Sequence, residues 1–70
     1  MIDEILYMEA RVFMEFLRKF NMKAKEANQI FENYGIWKYI EDCYDLLHVS
    51  GDEYVLNDIV KILNNKGARI

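Results

Sequence analysis

The chain has no proline, one cysteine, one histidine and three glycines, and each scarcity excludes something. Without proline, no position forces a helix to kink or stop through a missing N–H. A lone cysteine, Cys43, permits no internal disulfide, and a single histidine leaves no cysteine–histidine set for a structural zinc site. That favours a reducing, cytoplasmic setting. Gly35, Gly51 and Gly67 stand far apart, so there is no glycine-rich loop to cradle phosphate. No apolar run approaches the roughly 20 residues of a bilayer span. Asp3, Glu4 and Glu9 occupy the opening positions, where a signal peptide would be basic and then uncharged. Nine lysines and arginines against twelve acids leave a net charge of −3, the opposite of the balance that phosphate-backbone binding relies on.

What is present is 70 residues, 53% hydrophobic and 30% charged. This is material for a single small helical domain over residues 1–70. A core of this size leaves only about 3 to 5 kcal/mol of net stability, so a homodimer or a bound protein partner would be in keeping with it.

The apolar spacing predicts an all-α fold, a compact bundle of about four short helices. The first runs from about Asp3 to Phe20, with Ile5, Leu6, Val12, Phe13, Phe16, Leu17 and Phe20 on one arc at 100° per residue. The second, about Lys23 to Tyr34, carries Ala27, Ile30, Phe31 and Tyr34 as a stripe; Asn21 is placed to cap its start and Gly35 to end it. The third, about Ile36 to Val49, sets Ile36, Trp37, Tyr39, Ile40, Cys43, Tyr44, Leu46 and Leu47 against Lys38, Glu41, Asp42, Asp45 and His48. Ser50-Gly51-Asp52 reads as a turn, and Tyr54-Val55-Leu56 is too short to assign. A last helix, capped by Asn57, runs through Lys66 with Ile59, Val60, Ile62 and Leu63 packing and Gly67 ending it. Ala68-Arg69-Ile70 reads as a frayed tail.

Tyr44, Asp45, Leu47, His48, Gly51, Tyr54, Val55, Asp58 and Ile59 form a pattern over the last half of the chain. It resembles a family of short bacterial proteins catalogued only as a domain of unknown function. The resemblance implies a small bacterial, cytoplasmic protein, a frequent neighbour of larger genes with an ADP-ribosyltransferase-like fold. A small protein beside a toxin-like enzyme suggests an antitoxin, an association that supplies no mechanism.

Glu41, Asp45 and His48 lie at offsets of 0, 4 and 7, which puts two carboxylates and an imidazole on one helical strip. For a metal the strip is incomplete without a ligand from another helix, so no metal or cofactor is expected, and a solvated face is the simpler reading. Tyr44 and His48, four apart, can touch. Cys43 and His48 fall on different sides of the helix, which gives no thiol–imidazole pair, and Cys43 reads as a small buried hydrophobe. No enzyme is indicated. Glu9 stands at the middle of the first helix's apolar arc, where a carboxylate must be paired, solvated or at an interface. Either the true arc is tilted, or a tyrosine hydroxyl or a lysine from another helix meets Glu9; otherwise Glu9 lines a groove or a subunit contact.

From Tyr39 through Val60 there are six acids and no lysine or arginine, whereas Arg18 through Lys25 holds four bases and no acid. The acidic segment suits a basic protein surface and would steer association. The expected partner-binding residues are Glu41, Asp42, Asp45, His48, Asp52 and Glu53, with Tyr7 and Met14 as exposed anchors on the first helix. Charge reversal at Asp42 and Asp45 should then slow association. The alternative is a small helix-turn-helix regulator using Arg18, Lys19, Lys23 and Lys25. Its recognition helix, Ile36 to Val49, would hold one lysine against three acids and repel duplex DNA.

Overall fold

The computed structural model describes residues 3–68, and the tail residues Arg69 and Ile70 lie outside them. The fold is all-α, with five helices and no strand among the described residues: α1 (Glu4–Phe20), α2 (Ala24–Asn33), α3 (Ile36–Asp42), α4 (Tyr44–Leu47) and α5 (Asp52–Asn65). Among the described residues no helix is long and apolar enough to cross a membrane.

Asp3 starts α1 by accepting hydrogen bonds from the amides of Ile5 and Leu6, which satisfies two donors that the first turn leaves without partners. Asn21 does not cap α2 as its sequence position suggests. It adopts the left-handed conformation, with φ of 49°, and closes α1 through a bond from its amide to the Leu17 carbonyl. Asparagine tolerates that region, so the residue ends one helix and the start of the next falls to Lys23, which makes no side-chain cap.

Met8, Val12 and Phe16 of α1, Ala27 and Phe31 of α2, Ile36 and Ile40 of α3, Leu47 of α4, and Val55, Leu56, Ile59 and Leu63 of α5 form the core. At its centre Phe31 meets Phe13, Phe16 and Trp37, with ring centroids 5.3, 4.9 and 4.9 Å away. The buried arc of α1 is rotated from the expected one: Met8 is inside and Leu6 is 63% exposed. Length accounts for this. At 1.5 Å per residue, α2 is about 15 Å long against about 25 Å for α1, so it runs back along Phe16 and Phe13 and ends before the flank that carries Leu6.

Two helix boundaries also depart from the sequence expectation. The third helix is not continuous to Val49: it breaks at Cys43, whose φ of −106° and ψ of 12° lie outside the helical region, and Leu46 is exposed instead of packed. No glycine or proline marks this break. Contacts on either side set it, since the Tyr39 hydroxyl donates to Asp58 on α5 while the Tyr44 hydroxyl donates to Glu4 on α1. The last helix begins at Asp52, not after Asn57. Val55 and Leu56 are therefore the front of a stripe continued by Ile59 and Leu63, and Asp52 and Glu53 place negative charge at the positive end of the helix. Its far end is as expected: the Ala68 amide bonds to the Leu63 carbonyl across Gly67, in the manner of a Schellman motif.

Candidate functional site

The side of α1 opposite the core carries Tyr7, Arg11, Met14 and Arg18 at successive offsets of four, three and four, a stripe along one helical face. Tyr7 and Met14 are each 54% exposed. The Arg11 guanidinium sits 4.8 Å from the centre of the Tyr7 ring. It also grips Asp52 in a two-point bond, with Nε donating at 3.0 Å and Nη2 at 3.1 Å. This bond raises the guanidinium's already high pKa. The pair fixes the start of α5 against the middle of α1, and with it Asp52 and the neighbouring Glu53. Both groups are more than a third exposed, so the bridge orients more than it stabilises.

Beside the stripe lies an open groove of roughly 600 Å³, lined by Glu4, Tyr7, Met8, Arg11, Tyr44 and His48. The rings of Tyr44 and His48 stack at 5.0 Å with 14° between their planes. His48 Nδ1 lies 3.0 Å from the Tyr44 carbonyl. A carbonyl can only accept, so Nδ1 is the donor in this contact. The Tyr44 hydroxyl donates to Glu4 at 3.2 Å; desolvation and then this bond raise its pKa. Burial, followed by the bond to Asp58, raises the pKa of the Tyr39 hydroxyl, which ties α3 to α5.

The six residues expected to form one contact are distributed over several places. His48 joins the groove and Asp52 borders it through Arg11. Glu53 lies in a neighbouring depression with Glu15, Arg18, Lys19 and Leu56. Asp45 is exposed on α4. Asp42 pairs with Lys38 at 3.4 Å, and Glu41 lies where its charge acts on Glu9. The break at Cys43 separates Glu41 from Asp45 and His48. Among the described residues no three histidine, cysteine, aspartate or glutamate side chains converge as metal ligands do. Cys43 is half-buried against the core. Of the basic cluster, Arg18 pairs with Glu15 at 3.1 Å, Lys19 lines the depression with Glu53, and Lys23 and Lys25 are exposed. The groove's charged members, Glu4 and Arg11, escape sequence reasoning because their partners Tyr44 and Asp52 are about forty positions away.

Glu9 is 9% exposed, and among the described residues no tyrosine hydroxyl or lysine side chain hydrogen-bonds it, so of the alternatives open from the sequence the paired one is not seen. Its pKa is raised, first by burial and then by the charges of Glu41 and Asp3. A group whose folded pKa is raised contributes its stability while protonated and loses it as pH rises through the folded value. Glu9→Gln is therefore expected to raise the melting temperature near neutral pH. The gain should vanish below about pH 4, where both states are protonated. Melts of the two proteins at both pH values check this, and a lower melting temperature for the variant at neutral pH would contradict it.

A family described as "Protein of unknown function (DUF3791)" matches residues 9–66 of the chain. No curated protein and no solved structure matches it.

Proposed function

The chain belongs to the DUF3791 family, and from that premise and the surface described above we propose that it is a small protein-interaction module, an antitoxin-like protein that binds and neutralises a partner toxin enzyme. The observation that supports this reading most is one continuous surface. On it Arg11 links exposed Tyr7 and Met14, side chains of the kind that anchor interfaces, to the acids Asp52 and Glu53. The adjoining groove of Tyr44 and His48 is open, which suits contact with a surface better than enclosed chemistry. The toxin this reading favours is an ADP-ribosyltransferase-like enzyme encoded nearby. Such an enzyme handles a negatively charged dinucleotide, so its binding cleft is expected to be basic and complementary to acids.

The test is co-expression with that enzyme. Relief of its growth arrest together with equimolar co-elution is expected; unrelieved arrest and separate elution overturn the reading. Exposed Asp45 and Glu53 are better probes of steering than Asp42, which already pairs with Lys38. Replacing both by lysine is expected to lower the association rate about tenfold at low salt and to flatten its salt dependence. Stopped-flow association at two ionic strengths measures this, and unchanged rates would remove steering from the account. A mobility-shift assay at low salt is expected to show no nucleic-acid complex.

A further inference from the structure

The face of α1 opposite the core stands open. Asp3, Tyr7, Ala10, Met14 and Arg18 follow one another at offsets of four, three, four and four, so they share that side of the helix with Arg11. All six are exposed, Tyr7 and Met14 by more than half. Two large apolar side chains in one row on an otherwise charged helix face have the composition of a contact surface. The row lies on a ridge about 25 Å long, and at its middle Ala10 is small enough for another backbone to come close.

The order of charge along the ridge says what covers it. The helix begins on Asp3 and Glu4 and ends on Arg18 and Lys19, a sequence of charge that complements itself when reversed. A second α1, laid antiparallel about a two-fold axis between Ala10 and Arg11, brings Tyr7 onto Met14 of the second copy and Met14 onto its Tyr7. The basic end of each helix then lies against the acidic start of the other. A parallel pairing would set like charge against like at both ends. Near the axis the two Arg11 side chains come together, and each is already neutralised by its own Asp52, at 3.0 and 3.1 Å. Arg18 can turn toward the second copy at little cost, because its bond to Glu15 is a surface pair in which the arginine side chain is 72% exposed.

We propose that this chain self-associates through α1 as an antiparallel two-fold dimer, with the Tyr7–Met14 contact repeated on either side of the axis. A contact of one helix face, about 25 Å by about 10 Å, is at the small end of specific interfaces, so the dimer is weak, with a Kd of roughly 10 to 100 μM. The pairing stands without the toxin reading. Competition rests on that reading: Tyr7 and Met14 serve both contacts, so a bound toxin displaces the second copy.

Sedimentation equilibrium of the full chain between about 10 μM and about 1 mM tests this, in the wild type and in Met14→Glu, Arg18→Glu, Leu46→Glu and Lys25→Glu. The last two are controls: Leu46 is an exposed apolar residue off the ridge, 73% accessible on α4, and exposed Lys25 on α2 gives the same change of charge as Arg18. The wild type is expected to pass from monomer to dimer over this range. Association should weaken about tenfold in Met14→Glu and severalfold in Arg18→Glu, and less than twofold in either control. A wild type that stays monomeric throughout would overturn the dimer and leave the toxin reading standing. Equal losses in Met14→Glu and Leu46→Glu would show non-specific association of apolar surface and overturn it as well. Equal effects of Arg18→Glu and Lys25→Glu would overturn the antiparallel arrangement, because only there does Arg18 meet the acids of the second copy. If circular dichroism shows that Met14→Glu does not fold, Arg18→Glu against Lys25→Glu decides.

Discussion

Phe31→Ala is expected to leave the chain largely unfolded at 25 °C. Phe31 is fully buried, and its ring contacts Phe13 and Phe16 of α1 and Trp37 of α3. One side chain of α2 therefore holds three helices together. Removing a buried phenylalanine ring costs about 3 to 5 kcal/mol, the transfer of its atoms plus the cavity left behind. A domain of this size has about the same amount in hand. Small losses could be absorbed by collapse, but the neighbours here are rings braced edge to face, which cannot fill a phenyl-sized hole without leaving their own contacts. Phe31→Leu is the companion variant: it keeps most of the volume and should stay folded at a cost of about 1 to 2 kcal/mol. Far-UV circular dichroism and urea denaturation of both variants measure the effect. A cooperative transition for Phe31→Ala with a loss below about 1.5 kcal/mol would show that the aromatic cluster repacks and is not the hub described here.

Gly51→Ala should give the next largest effect, about 1 to 3 kcal/mol of destabilisation, through the backbone alone. Gly51 immediately precedes α5 with φ of 85° and ψ of 151°, a region that residues with a Cβ essentially do not enter. Sterics with neighbouring atoms are not the cause, because a methyl placed there would meet nothing within 4 Å. The strain would be relieved only by moving α5, and α5 carries Val55, Leu56, Ile59 and Leu63 into the core and Asp52 onto Arg11. Loss of stability should thus be accompanied by disturbance of the Tyr7–Arg11–Asp52 surface, visible as amide shifts. Gly35→Asn supplies the contrast. Gly35, with φ of 69° and ψ of 26°, lies in the ordinary left-handed region that asparagine tolerates, and Asn21 already does so in this chain. Its substitution should cost only a few tenths of a kcal/mol. Similar losses at the two glycines would mean that backbone conformation is not what distinguishes them.

Much of the fold was legible because its signals are local. The α1 stripe of Val12, Phe13 and Phe16, the α2 stripe of Ala27 and Phe31, and the stops at Gly35 and Gly67 follow from a period of 3.6 and from which residues accept positive φ. The errors have local causes too. Asn21 has the chemistry of a cap at either end of a helix, and only its left-handed φ decides which. Tyr54-Val55-Leu56 is ambiguous as three residues and plain as helix once Ile59 and Leu63 are joined to it. The exposure of Tyr7 and Met14 could be anticipated from their positions opposite the buried arc, and the contact of Tyr44 with His48 from a spacing of four.

By itself, then, the sequence determined the helical class, the amphipathic face of each longer helix and most helix ends, since these depend on residues within a turn or two of one another. It also marked Glu9 as a carboxylate on an apolar arc. Only the tertiary structure decided that Arg11 meets Asp52, that the helix breaks at Cys43, that Leu6 is left exposed and that Glu9 is buried. The physical reason is reach: an apolar stripe specifies which face turns inward, but the length and direction of the neighbouring helix determine what that face, and each charge along its edge, will meet.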